Sequence, residues 1–310
     1  MFKIIAGQSL IMFLLILVGV TVFRTHLADH QGSKTLSNIL LMVVNPFVIL
    51  NSFLSIKYNA GLVQGFCLAL LLGFLSHFAG IAVAHVLIRK HDNPDFNIER
   101  YSSTYSNCGF MGIPLVGSIL GAEGIFFLTA YLVAFNVLTW THGLVLITGD
   151  TSAKQIRKGL MSPAMFAIAA GLACFFFRVH LPSHLSAAVE YMGSMNTPMG
   201  MLVAGVALGE ANLVPALRKA HLYLVCLLKL IIMPLCTMCI LLAVKRMIPI
   251  SDPVFYTILI GSACPAATTG TMFALRYDGN YRYASELFVL STLLSMATVP
   301  FIVFLAEKML

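Results

Sequence analysis

The chain predicts an all-α integral membrane protein of ten transmembrane helices, built as two inverted five-helix repeats with interrupted helices. Three observations carry this prediction. The 310 residues are 59% hydrophobic and 10% charged, with mean hydropathy +0.91, whereas charged residues make up about 25% of a soluble globular domain. Apolar stretches of roughly 20 residues, the length a helix needs to cross a ~30 Å hydrocarbon core, recur along the whole length. One of them contains Asn107-Cys108-Gly109-Phe110-Met111-Gly112-Ile113-Pro114-Leu115, and irregular backbone persists at membrane depth only where it is buried in protein or lines a polar cavity.

Taken in order, the predicted spans are 5–23, 35–56, 61–88, 98–120, 123–148, 160–177, 186–208, 214–244, 254–275 and 284–306. The first lacks a small-residue cleavage site followed by a soluble mature chain, so it reads as a helix and not a signal peptide. The second carries Asn45-Pro46, the third His77 and His85, and the fourth the Asn107 break. His142 closes the fifth. The seventh contains Asn196-Thr197-Pro198, the eighth Lys229 and Pro234, and the ninth Cys264-Pro265. Connectors of at most about a dozen residues leave no room for a catalytic or nucleotide-binding domain. No Walker-type phosphate loop occurs, which argues against an ATP-driven pump. The seven cysteines all fall inside spans and imply no disulfide framework. Cys236 and Cys239 share a helical face, but no histidine or carboxylate near them in sequence completes a metal site, and they read as packing residues.

The net charge of +7 is informative through its distribution. Alternate connectors place Lys3, Lys57, Arg178, Lys245, Arg246 and Lys308 on the side of the termini. The other side holds Arg24, Lys34, Arg89, Lys90, Arg100, Lys154, Arg157, Lys158, Arg218, Lys219, Arg276 and Arg282. The positive-inside rule then puts both termini outside the cell's inner (plasma) membrane.

Residues 1–150 and 151–310 align at an offset near 152: Gly19 meets Gly171 and Pro46 meets Pro198, while Pro114 meets Pro265 one residue out of step. Five spans per unit is an odd number, so the second unit enters the membrane from the opposite side. This is the inverted-repeat plan of secondary transporters, whose sites lie at mid-membrane between broken helices.

Asn107 to Leu115, Asn196-Thr197-Pro198-Met199-Gly200-Met201 with Ala204 to Gly209, and Cys264-Pro265-Ala266-Ala267-Thr268 with Met272-Phe273-Ala274, Ala284-Ser285 and Ser291 to Leu294 resemble motifs of the auxin efflux carrier family in its short bacterial, malonate-transporter-like form. Lys229-Leu230 with Pro234 adds a weaker match. The resemblance implies that helices 4 and 9 cross at their breaks. Helices 1, 2, 6 and 7 would form a scaffold that often carries a dimer contact, and helices 3–5 and 8–10 a transport unit moving as an elevator. Two departures stand out. The long hydrophilic loop of plant members is replaced by Gly149 to Lys158, and Cys264 stands where plant members place an asparagine, which removes a symmetrical two-asparagine clamp.

At such a crossing the free N–H groups of half-helix ends carry a partial positive charge that suits a carboxylate. Asn107, Cys108, Gly109, Gly112 and Pro114 on helix 4, Pro265, Ala266, Thr268 and Thr269 on helix 9, and Asn45 on helix 2 are the expected substrate-binding residues. For Gly109 and Gly112, tight helix packing is the alternative role. Pro46 and Pro198 are expected to bend helices 2 and 7 around the pocket. Lys229, with His77 at its symmetry position, is an intramembrane ionisable group. Three roles are open to it: attracting an anion, balancing a carboxylate, or satisfying half-helix carbonyls as a fixed cation in place of a sodium ion. Glu190 and Glu286 are the only carboxylates well placed near or within spans on this reading, and Glu190 is the candidate for proton coupling. Gly61/Gly65, Gly117/Gly121 and Gly205/Gly209 have the spacing of helix contacts.

These readings make the protein a secondary carrier of a small organic anion, a mono- or dicarboxylate, embedded in the lipid bilayer. No cofactor, metal, nucleic-acid partner or catalytic activity is expected. The competing class is a membrane sensor that binds a metabolite without moving it.

Overall fold

The computed structural model describes residues 2–56, 59–90, 93–149, 152, 157, 161–179, 181–210, 218–277 and 279–310. Lys57, Lys154, Lys158, most of the 149–158 connector and the predicted start of the eighth span lie outside them. The helices in chain order are α1 (Phe2–Arg24), α2 (His30–Ile39), α3 (Asn45–Leu54), α4 (Ala60–Leu87), α5 (Phe96–Thr104), α6 (Ile113–Leu138), α7 (Leu144–Thr148), α8 (Pro163–Phe176), α9 (Ser183–Ser194), α10 (Asn196–Glu210), α11 (Ala220–Leu227), α12 (Met233–Lys245), α13 (Asp252–Ala263), α14 (Thr268–Arg276) and α15 (Tyr281–Met309). Among the described residues there is no strand, and a single antiparallel bridge joins Ser106 to Ala266.

Prolines explain much of the segmentation. Pro46, Pro114 and Pro234 each stand at the second position of a helix that directly follows a five-residue π turn: Leu40–Val44, Cys108–Gly112 and Leu228–Ile232. A proline lacks the N–H that its i−4 carbonyl needs, and its ring clashes with that carbonyl. The chain answers by widening one turn. The residue before each proline then donates five residues back, Asn45 to Leu40, Ile113 to Cys108 and Met233 to Leu228.

Among the described residues, six helical runs are long and apolar enough to cross a membrane, and Pro163–Phe176 is a shorter apolar helix. One of the six, Cys108–Thr148, is 41 residues long and includes Gly121 at φ 60°, ψ −150°. A Cβ on Gly117 would touch Ile125, and one on Gly124 would touch Val116. Residues eight apart in a straight helix are separated by about 12 Å, so the chain folds back at Gly121. Gly121 is therefore a hinge and not the helix contact its spacing suggested. A side chain in this backbone region costs about 1–3 kcal/mol, although nothing stands within 4 Å of where its Cβ would be. Gly121→Ala should lower stability by that amount through backbone strain alone, as read by thermal unfolding in detergent.

The elements pack in two groups. In one, α1 lies along α10, and α3 is held between α8 and α9. Gly171 makes room there for the Phe53 ring. In the other, α4 packs on α6 and α12, α6 on α13, and α14 on α15. Phe53, Phe66, Phe126 and Phe175 join the groups in one aromatic cluster with centroid separations of 5.0 to 5.9 Å.

Candidate functional site

Two interrupted helices meet inside the second group. The first leaves helical geometry after Thr104 and resumes at Cys108, and the second runs from α13 through Cys264-Pro265-Ala266-Ala267 to α14. The breaks pair antiparallel: Asn107 N–H donates to the Pro265 carbonyl at 2.7 Å, and Ala267 N–H to the Tyr105 carbonyl at 3.0 Å. Ala266 N–H is taken by Ser291 Oγ of α15 at 3.1 Å. Backbone groups freed by the interruptions thus satisfy each other across the crossing, as a low-dielectric interior demands. The amides of the first turn of α14, at Thr268 and Thr269, are among those that lack an intrahelical acceptor.

Lys229 lies in the π turn before α12 and is 1% exposed. Its Nζ donates to Ser106 Oγ and, at 3.2 Å, to the Ser262 carbonyl near the C-terminal end of α13. Ser106 Oγ also donates to that carbonyl, at 3.1 Å. The side chain ties both breaks together from behind. His77 is buried, donates from Nδ1 to the Gly73 carbonyl at 2.7 Å and lies 4.7 Å from the Tyr131 ring centroid.

The first group contributes two asparagines. Asn196, at the start of α10, donates to the Gly109 carbonyl at 3.0 Å. Asn45, at the start of α3, has its Oδ1 3.9 Å from where a Cβ on Gly109 would stand. The Oδ1 atoms of both are buried without a hydrogen-bond partner. Gly109 thus has the close approach its residue type permits, and Gly200 packs on the Phe110 ring. Pro46 and Pro198 sit one and two residues beyond these asparagines.

A cavity of about 760 Å³ lies between the two groups. Its walls include Asn45, Asn136, Trp140 and Phe273, and Thr268 and Thr269 of α14 lie along it. Thr269 Oγ1 is hydrogen-bonded to Tyr101 OH at 2.7 Å, so its position is fixed from the buried side. The cavity reaches the exposed Lys34, Asn38, Glu210 and Arg282, and so opens on the face that carries these residues. Of the sequence-selected residues, Asn45, Thr268 and Thr269 line this space. Asn107, Cys108, Gly109, Gly112, Pro114, Pro265 and Ala266 build the crossing beside it. Lys229 and His77 stand behind the crossing, and Glu190 is exposed on α9, away from both.

Sequence reasoning overlooked Asn136, which donates to the Leu132 carbonyl one turn back at 2.8 Å and lines the cavity. It also overlooked Glu99, 1% exposed on α5. The statement that Glu190 and Glu286 are the well-placed carboxylates is corrected by that burial. The position of Glu99 eight residues before Asn107, on the half-helix that leads into the break, was the available signal.

A profile described as membrane transport protein matches residues 4–158 and 150–303. An uncharacterized transporter of Methanothermobacter thermautotrophicus is 22% identical over 294 residues, covering 92% of this chain and 93% of the relative. With the profile spanning nearly the whole of a multi-pass apolar helical chain, the protein belongs to the auxin efflux carrier family of membrane transport proteins.

Proposed function

We propose that this membrane transporter is a secondary carrier of a small organic anion of the mono- or dicarboxylate class, working by elevator-type alternating access. The observation that carries the reading is the cavity with α14 along its wall. Its Thr268 and Thr269 bring two hydroxyls and first-turn amides that lack an intrahelical acceptor, a site for a carboxylate that needs no formal cation. The volume lies within the range of small-molecule sites. Phe135, Trp140 and Met272 offer apolar walls to the rest of the solute.

In this reading the chain crosses the membrane ten times, counting the two arms of the Gly121 hairpin separately and joining α5 to the start of α6, α9 to α10, and α13 to α14. Residues 1–150 and 151–310 are the inverted repeats. The first packing group is the scaffold, also the surface for a homodimer, and the second is the unit that moves. With both termini outside a plasma membrane, the cavity faces inward. Lys229 acts as the fixed cation of the crossing, in place of a bound sodium ion.

The test is flux into proteoliposomes with a panel of labelled organic anions. Saturable uptake of one anion, lowered about tenfold to hundredfold by Asn107→Ala, is expected for the loss of one polar contact. The variant should unfold at the wild-type temperature, because the hydrogen bond of Asn107 across the break is made by its backbone N–H. Thermal stabilisation by a panel member without flux would move the protein to the sensor class.

A further inference from the structure

A second polar cluster lies outside the crossing, on the face toward which the cavity opens. At its centre is Glu99. Its Oε1 accepts from Tyr283 OH at 2.6 Å and from Asn93 Nδ2 at 2.7 Å, while Oε2 is buried with no partner. His221, whose side chain is 41% exposed, stands with Nδ1 3.5 Å from Oε1. Lys219, at the start of the same helix, places Nζ 5.5 Å from the Tyr283 ring and 2.6 Å from Glu286, which lines the cavity.

We infer that Glu99 is a proton-binding site, loaded from the aqueous face through His221 and linked to the cavity through Tyr283, Lys219 and Glu286. One oxygen of Glu99 accepts two hydrogen bonds as a carbonyl would, and the other, left without donors, is the place for the proton. An ionised carboxylate would leave half its charge on an unsolvated oxygen, a costly arrangement in a buried site. Other ionisable neighbours are engaged elsewhere. Asp95 accepts from Asn280, Arg100 donates to the Ile88 and His85 carbonyls, His85 to the Ile81 carbonyl, and Lys229 to the crossing. His142 pairs with Tyr105. The proton passes from water to His221 and, across its 3.5 Å contact, to the Glu99 carboxyl, so loading adds one positive charge, which offsets the negative charge of a monocarboxylate. Coupling to transport rests on the carrier reading, whereas proton binding does not.

The test is infrared difference spectroscopy of the full-length protein in lipid vesicles, between neutral and acidic pH. A protonated-carboxyl band should grow on acidification and be lost in Glu99→Gln. In Tyr283→Phe it should move to higher frequency, because the carbonyl loses a donor. A spectrum in which Glu99→Gln removes no pH-dependent band, or an unshifted band in Tyr283→Phe should the first variant not fold, overturns the assignment. Loss of the band on adding sodium at constant pH also overturns it, in favour of a metal cation. Because this readout needs no flux, absence of transport for every anion leaves the proton site standing, while a working carrier without the band sinks the proton site alone.

Discussion

Lys229→Met should lower the stability of the protein by about 3 kcal/mol and abolish uptake. The side chain is 1% exposed and has two acceptors, Ser106 Oγ and the Ser262 carbonyl. Methionine matches its length and buries well, so little packing is lost. What goes is roughly 1.5 kcal/mol for each hydrogen bond, more where a buried acceptor is left without a donor. The Ser262 carbonyl keeps the Ser106 hydroxyl, which limits the loss. Function should suffer more than stability, since this side chain joins Ser106 of the first break to the end of α13 that leads into the second. The measurement is thermal unfolding in detergent beside uptake in vesicles. A variant with wild-type stability and no substrate binding would show instead that Lys229 meets the substrate directly, against its position behind the crossing.

Gly205→Ala is expected to be as damaging from the opposite side of the molecule. An added Cβ would overlap the Ile16 carbonyl oxygen and come within 2.7 Å of the Gly19 Cα. Both obstacles are backbone, so no side-chain rotation relieves the clash and α1 must move off α10. Overpacking of this kind costs about 3 kcal/mol or more. The expected result is a lowered unfolding midpoint, with a similar loss in Gly19→Ala, whose Cβ would meet the Leu202 carbonyl and the Gly205 Cα. Gly7→Ala, where nothing lies within 4 Å, is the control and should be neutral. Equal stability of the three variants would remove the close α1–α10 contact from the fold.

The contrast between these glycines shows how far spacing alone can be read. Gly205/Gly209 and Gly117/Gly121 have the same four-residue interval. Gly205 and Gly209 face α1, the latter against the Phe23 ring, whereas Gly121 is the positive-φ hinge of a hairpin. A sequence shows that a glycine is present but not whether a neighbour approaches it.

The membrane character, the helical class and the interruption at Asn107 were determined by the sequence itself. Each follows from composition or from the local chemistry of Asn, Gly and Pro, which act within one turn of where they stand. The π turns before Pro46, Pro114 and Pro234 belong to the same class, since a missing N–H is a local defect with a local remedy. Lys229 was legible as an ionisable group in an apolar run, but its two acceptors were not, being 123 and 33 residues away in the chain. Only the tertiary structure decided that Asn107 pairs with Pro265, that Asn45 and Asn196 approach Gly109, and that Glu99 is buried against Tyr283. Such contacts depend on where distant helices cross, and on hydrogen-bonding groups that burial leaves no other partner, neither of which is encoded within a single turn.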